Sequence, residues 1–195
     1  MKFSVNKDTK IDVNYRGFYN IYNILAVYSA MSALKVDTFD FNEILSDYKP
    51  QIGRMELMDL GKPVILNLAK NPAGFNQAIQ TVMLDKRKKD VIVAINDGET
   101  DGRDITWLWD VEFENLADEN LNTLTTAGRR LYDLALRFKY SDIKVDNITR
   151  DMRAAIEKCL KTDAEVCYVL VNYTALFSTQ STMLDIKKEI EGGNK

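Results

Sequence analysis

The chain contains no histidine. That absence excludes a self-contained Ser–His–Asp or Cys–His–Asp hydrolase, whose proton shuttle is an imidazole. Any chemistry must therefore rest on carboxylates, lysines and arginines, or be shared with another chain. Cysteine is nearly as scarce. Cys159 and Cys167 stand without a CxxC, which fits neither a disulfide framework nor a zinc site, and suggests a reducing cytosol with both thiols acting as small hydrophobes. There is no GxxxxGK[ST] loop to cradle a triphosphate and no GxGxxG for a nicotinamide cofactor. No apolar run approaches the roughly 20 residues that span a bilayer, and the N-terminal "MKFSVNKDTK" lacks the apolar core of a signal peptide. Positive charge is outnumbered, 26 basic against 29 acidic side chains for a formal net charge of −3, so a nucleic-acid partner, which needs a basic face, is not expected. The one basic run, Lys86 to Lys89, reads as a solvated helix end.

What is present is patterned. The 195 residues suffice for one large domain or one domain plus a fragment. "KFSVN" and "KIDVNY", joined by a polar turn at Lys7-Asp8-Thr9, predict a hairpin. A long helix follows, with Ile21, Ile24, Leu25, Tyr28, Met31 and Ser32 along its stripe. Phe41 to Tyr48 predicts a second helix, with Asp40 as N-cap and Pro50 as its stop, and "QIGRMEL" reads as a connector. From there strand and helix alternate. Strands are expected at 63–69, 90–96, 121–127 and 165–173, with a short one between Ile143 and Ile148. Helices are expected from Asn71-Pro72, over "GRRLYDLALRFKY", over "TRDMRAAIEKCLK", and from Thr179 to Glu191. Such alternation predicts an α/β fold, a doubly wound, mostly parallel sheet with helices on both faces. Its ligands bind beyond the carboxyl ends of the strands. A boundary near Gly53 sets residues 1–52, a hairpin-and-helix piece that buries little by itself, apart from an α/β domain over 53–195.

"INDGETDGRDITWLWD", Ile95 to Asp110, follows one of those strands and carries five carboxylates, one arginine and two tryptophans. An EF-hand would need a glutamate where Leu108 stands, and a helix before the loop. A solvated turn with unusual angles at Gly98 and Gly102 explains the glycines but not Trp107 and Trp109. Spaced by two, these rings could share one face of an extended segment, packing the loop down or meeting a partner. Functionally, Arg103 would keep neighbouring carboxylates ionised. A fixed carboxylate can orient an imidazole and stabilise its protonated form, an imidazole that another polypeptide would have to supply.

Three segments carry a resemblance: "GRMELMDLGKPVILNLAKNPAGFNQAI" (53–79), "INDGETDGRDITWLWDVEFE" (95–114) and "VNYTALFSTQSTML" (171–184). They resemble the C-terminal domain of the MurT family, the Mur ligase-like subunits of lipid II isoglutaminyl synthase. "GRRLYDLALRFKY" fits that family's arginine-bearing helix, and "RGFYNIYNILAVYSA" (16–30) resembles the GxxNxxNxxAA stretch closing the central domain of Mur ligases. The resemblance implies a Rossmann-like C-terminal domain preceded by the tail of a central domain. It implies a ligase that amidates the D-glutamate α-carboxylate of lipid II to D-isoglutamine with ATP and Mg²⁺, at the cytoplasmic face of the membrane. Ammonia would come from a GatD-type glutaminase bearing a cysteine and a histidine, and an aspartate of the DGRD motif would complete that pair. Here that residue is Asp104, with Asp101 the alternative, and Arg103, Trp107 and Trp109 would lie at the partner interface. Asn20 and Asn23 would contact nucleotide. Asn71 would do so too, or would simply cap its helix. The sequence departs from the family in having Gly-Glu-Thr within the acidic loop, where Asn-x-Ala is commoner. The ATP-binding domain and the cysteines of the zinc-binding insert are also missing, so the chain is expected to be an excised or naturally truncated C-terminal portion. By itself it is expected to bind no ATP, Mg²⁺ or other metal productively. A non-catalytic interaction module using the tryptophan loop is the rival reading.

Overall fold

The computed structural model describes residues 1–7, 9–13, 17, 19–37, 40–48 and 51–193, which form two compact units, Met1–Met55 and Glu56–Lys195. In the first, strands β1 (Lys2–Val5) and β2 (Thr9–Asp12) pair antiparallel, Val5 opposite Thr9. Asn6 and Lys7, both left-handed with φ of 50° and 68°, reverse the chain between them; Asp8, expected in this turn, lies outside the described residues. Helix α1 (Tyr19–Ala33) and helix α2 (Phe41–Asp47) cover the hairpin. Ile24 and Phe41 join Val5, Ile11 and Val13 in a small buried cluster, with Leu25, Tyr28 and Met31 packed partly buried against it. Ser32, at the end of the expected stripe, is exposed. Asn42 ties α2 to the hairpin, accepting from the Asp12 N–H at 3.1 Å and donating to the Lys10 carbonyl at 2.6 Å. Asp40 holds the N-cap position of α2, but its side chain makes no capping bond. Its backbone (φ −92°, ψ 14°) is not the extended conformation that aims a cap at the first turn. Pro50 lies outside the described residues.

The second unit is a six-stranded sheet of order β3-β4-β8-β5-β6-β7. Its strands are β3 (Glu56–Asp59), β4 (Pro63–Leu68), β5 (Lys89–Ala94), β6 (Leu121–Ala127), β7 (Asn147–Ile148) and β8 (Val166–Val171). All pairings are parallel except β3 with β4. The presumed connector "QIGRMEL" thus contains an edge strand. Every residue of β5 and β8 is buried, the consequence of helices on both faces. Helices α5 (Met152–Leu160) and α6 (Tyr173–Gly192) cover one face, where Leu66, Ile92 and Val169 meet Ile156, Leu176 and Met183. Helices α3 (Pro72–Leu84) and α4 (Leu131–Tyr140) lie on the other. Helix α6 begins six residues before the expected Thr179, because Tyr173, which read as the last residue of the strand, already turns helical with Thr174 after it. The segment from Ile143 to Ile148 supplies only the two residues of β7.

The basic run is a solvated helix end only at its start, where Lys86 is exposed and donates to the Met83 carbonyl in the last turn of α3. Arg87 pairs with Asp85 at 2.6 Å and Lys88 with Asp163 at 2.5 Å, while Lys89 is buried against Asp118 at 3.3 Å. The short charged loop, residues 85–88, leads directly into β5, so Lys89 is drawn inside with the strand it opens. Cys159 and Cys167 are both free and buried; the neighbouring Cys159 and burial together push the Cys167 thiol well above its usual range, which leaves it inert.

Candidate functional site

At the carboxyl edge of the sheet the ends of β5, β6 and β8 are laced together. Asn172 is buried, and its Oδ1 accepts from the Asn96 N–H at 3.0 Å while its Nδ2 donates to the Asn96 carbonyl at 2.7 Å. Asn96 Oδ1 in turn accepts from the Arg129 N–H at 2.9 Å. Gly128, at φ 83°, lets β6 end so close to β5 that an added Cβ would stand 2.5 Å from the Ile95 carbonyl oxygen. This lacing fixes the base of the acidic loop.

The loop is then tied down at both shoulders. Asp97 pairs with Arg130 at 2.9 Å. Asp101 accepts from the Thr174 N–H at 3.0 Å and from the Thr174 hydroxyl, anchoring to the first turn of α6. Gly98 has no left-handed angle; a Cβ there would stand 2.8 Å from Thr174 Cγ2. On the far side, Thr106–Asp110 is a 3₁₀ turn, not an extended segment, so the two tryptophans diverge. Trp107 packs on Phe75 with centroids 5.5 Å apart, and Trp109 stays 51% exposed against Tyr140. Glu112 donates its N–H to Asn76 of α3 at 2.9 Å.

Beneath the turn lies Arg137, a residue the sequence did not single out. It is buried and donates to the carbonyls of Leu108 at 3.3 Å and Val111 at 2.7 Å. It also pairs with Glu114 at 2.8 Å, and the Arg137 bond holds the Glu114 carboxyl down at about 2. A signal existed, since position 137 falls three residues after Leu134 and one before Phe138, on the helix face that is otherwise apolar.

Between the anchors, Gly102, Arg103 and Asp104 are exposed, and Gly102 takes a left-handed φ of 82° with open space around it. Asp104 Oδ1 accepts from the Thr106 N–H at 2.8 Å and from the Thr106 hydroxyl at 2.7 Å. The Thr106 hydroxyl first, and its N–H second, lower the Asp104 carboxyl below its ordinary value. Arg103 is not the cause: among the described residues it forms no ion pair with Asp104. The result is an ionised, oriented carboxylate at the apex, with Oδ2 unengaged among the described residues.

The nucleotide candidates divide between the units. Asn20 and Asn23 sit together on α1, Asn23 donating to Asn20 at 3.4 Å, and line a groove of about 300 Å³ with Ile24, Val27, Leu45 and Tyr48. Amides beside an apolar, aromatic wall suit a base or sugar. Asn71 caps α3, accepting from the Gly74 N–H at 2.8 Å with Pro72 following. Among the described residues no three His, Cys, Asp or Glu side chains gather to hold a metal ion, and no helix is long and apolar enough to cross a membrane.

Comparison with known proteins places this geometry. The family model described as MurT ligase C-terminal matches residues 68–176. Lipid II isoglutaminyl synthase (glutamine-hydrolyzing) subunit MurT of Staphylococcus aureus (strain COL) is 31% identical over 189 residues, 95% of this chain and 42% of the relative. The same subunit of Streptococcus pneumoniae is 30% identical over 182 residues, 89% of this chain and 40% of that one. The chain thus spans about two fifths of the length of these relatives. MurF from Acinetobacter baumannii shares the fold at a TM-score of 0.67 and 16% identity, covering 92% of this chain and 40% of that one. Folylpolyglutamate synthase from Mycobacterium tuberculosis does so at 0.64 and 18%, covering 89% and 41%. The laced strand ends, the tethered acidic loop and the matched span lead to one assignment: the chain belongs to the MurT ligase C-terminal family.

Proposed function

We propose that the chain works as the C-terminal portion of a MurT-type subunit, in a glutamine-dependent ligase that amidates the D-glutamate α-carboxylate of lipid II. Its acidic loop lends Asp104 to the Cys–His pair of a GatD-type glutaminase. The observation that carries this reading is the division of labour between the two aspartates of the motif. Asp101 is consumed by Thr174, while Asp104 is exposed, ionised and held by one oxygen. An orienting carboxylate in a triad accepts from imidazole Nδ1–H and stabilises the imidazolium formed when the nucleophile gives up its proton. A chain without histidine can supply that third member and no other. ATP and Mg²⁺ would activate the acceptor carboxylate in the intact ligase, with Asn20, Asn23 and Asn71 near the nucleotide, at the cytoplasmic membrane face where lipid II is presented.

The test is glutamine hydrolysis by the glutaminase partner with and without this chain, beside Asp104→Asn. Hydrolysis should switch on with the chain, and the variant should lose activity by a factor on the order of 10³–10⁴, as when a triad loses its acid, with the complex intact. Near-full hydrolysis in the Asp104→Asn complex would overturn the assignment. It would favour instead a docking module, for which the exposed Trp109, Tyr132, Leu136 and Tyr140 are the supporting observation.

A further inference from the structure

Away from Asp104, the carboxyl ends of β5 and β6 border a second hollow of about 170 Å³. It exists because its floor is made of Ala94, Gly128 and Ala175, where larger side chains would fill it. Two arginines, Arg129 after β6 and Arg150 before α5, line it from different elements, and both are exposed to solvent. Among the described residues neither is in an ion pair, although their neighbours are well supplied: Arg130 takes Asp97 and Asp133, and Asp151 caps α5 through the Ala154 N–H. Two exposed arginines without an ion-pair partner at the rim of one small cavity gain nothing for stability from a salt bridge. Their planar forks are matched to an oxyanion. Ser178 and Thr179, which also line it, both donate to the Ala175 carbonyl at 3.1 and 2.7 Å, so they offer lone pairs to a donor on the same ligand.

We propose that this hollow is an oxyanion subsite, taking a carboxylate or phosphate group between Arg129 and Arg150. Its volume, below the several hundred Å³ of sites for whole drug-sized molecules, suits a single group projecting from a larger ligand. The proposal goes beyond the glutaminase role and needs no partner, so it fails or stands independently of Asp104. The test uses the 195-residue chain, labelled for observation of arginine side-chain resonances, with inorganic phosphate and glutarate titrated separately at constant ionic strength. Saturable shifts of Arg129 and Arg150 are expected with at least one probe. Preference for phosphate identifies a phosphorylated source, and preference for glutarate a carboxylate one. Arg129→Gln and Arg150→Gln should each weaken binding, and the double variant should weaken it at least about tenfold. Its thermal midpoint without anion should be unchanged or raised, since like charges have been removed. Absence of saturation with either probe, equal affinity in the double variant, or a lowered midpoint that marks the arginines as structural would each overturn the proposal.

Discussion

Glu114 shows how a single carboxyl records the state of the loop above it. Its value of about 2 lies below the ordinary 4.5 because Arg137 donates to it. Since the folded value is depressed, the stability it contributes is fully present above about 4.5 and is lost as pH falls toward 2. The side chain is 53% exposed, so solvent screening limits the effect to about 1 kcal/mol or less. Urea denaturation between pH 6 and 2 should therefore show wild type losing more stability than Glu114→Gln through that window (those bounds being roughly the carboxylate titration range). Parallel curves for the two proteins would remove Glu114 from the account. Asp104 differs in kind: the bonds that lower it run within its own turn, to Thr106, so its ionisation serves whatever approaches from outside.

At the scale of elements, the 3₁₀ turn and the segment after it rest on Arg137. Replacing it with methionine keeps much of the apolar stem and removes the donors to Leu108 and Val111, leaving two buried carbonyls unanswered, while the half-exposed Glu114 keeps its bond from Ser141. We expect Arg137→Met to destabilise by about 2–4 kcal/mol and to accelerate amide exchange in residues 105–116 ahead of the sheet. Unchanged exchange there would show the turn is held by its aromatic contacts instead. The elements themselves were unevenly legible. Strands β4, β5 and β8 announced themselves because burial on both faces leaves unbroken apolar runs, and the Asn71-Pro72 start of α3 was readable because a cap and an N1 proline are local signals. Strand β3 was not, since a four-residue edge strand offers too few alternations to separate it from a connector. The tryptophans misled for a geometrical reason. Residues two apart share a face in a strand, but in a 3₁₀ turn they stand about 240° apart. The distinction between Asp101 and Asp104 was equally hidden, because what decides it is Thr174, 73 residues away.

For the whole molecule, the two units differ sharply in what they can support. Among the described residues the first buries Val5, Ile11, Val13, Ile24 and Phe41 in its cluster, little for a segment below the ~60 residues at which domains become marginal. The second has a larger buried cluster from β3, β4, β5, β6 and β8 beneath α5 and α6, with further buried side chains such as Phe75, Ile79, Leu134 and Phe138 on α3 and α4. Excised residues 56–195 should melt cooperatively, and excised residues 1–55 should show no sharp thermal transition by circular dichroism. A cooperative melt of the short piece would mean that its hairpin and helices hold together unaided.

The strand order also has a consequence for biosynthesis. Strands β4 and β5 do not touch each other; β8, which follows both in chain order, lies between them. At ~5–20 residues per second, the 77 residues from Ala94 to Val171 take about 4–15 s to make. Throughout that interval the inner edges of two largely buried strands wait unpaired, the situation in which nascent chains pair wrongly with one another. A chain interrupted in that span would be missing the strand that turns two fragments into one sheet. The laced ends at Asn96 and Asn172 would form only afterwards, so the acidic loop gains its anchors only once β8 and the first turn of α6 have been made.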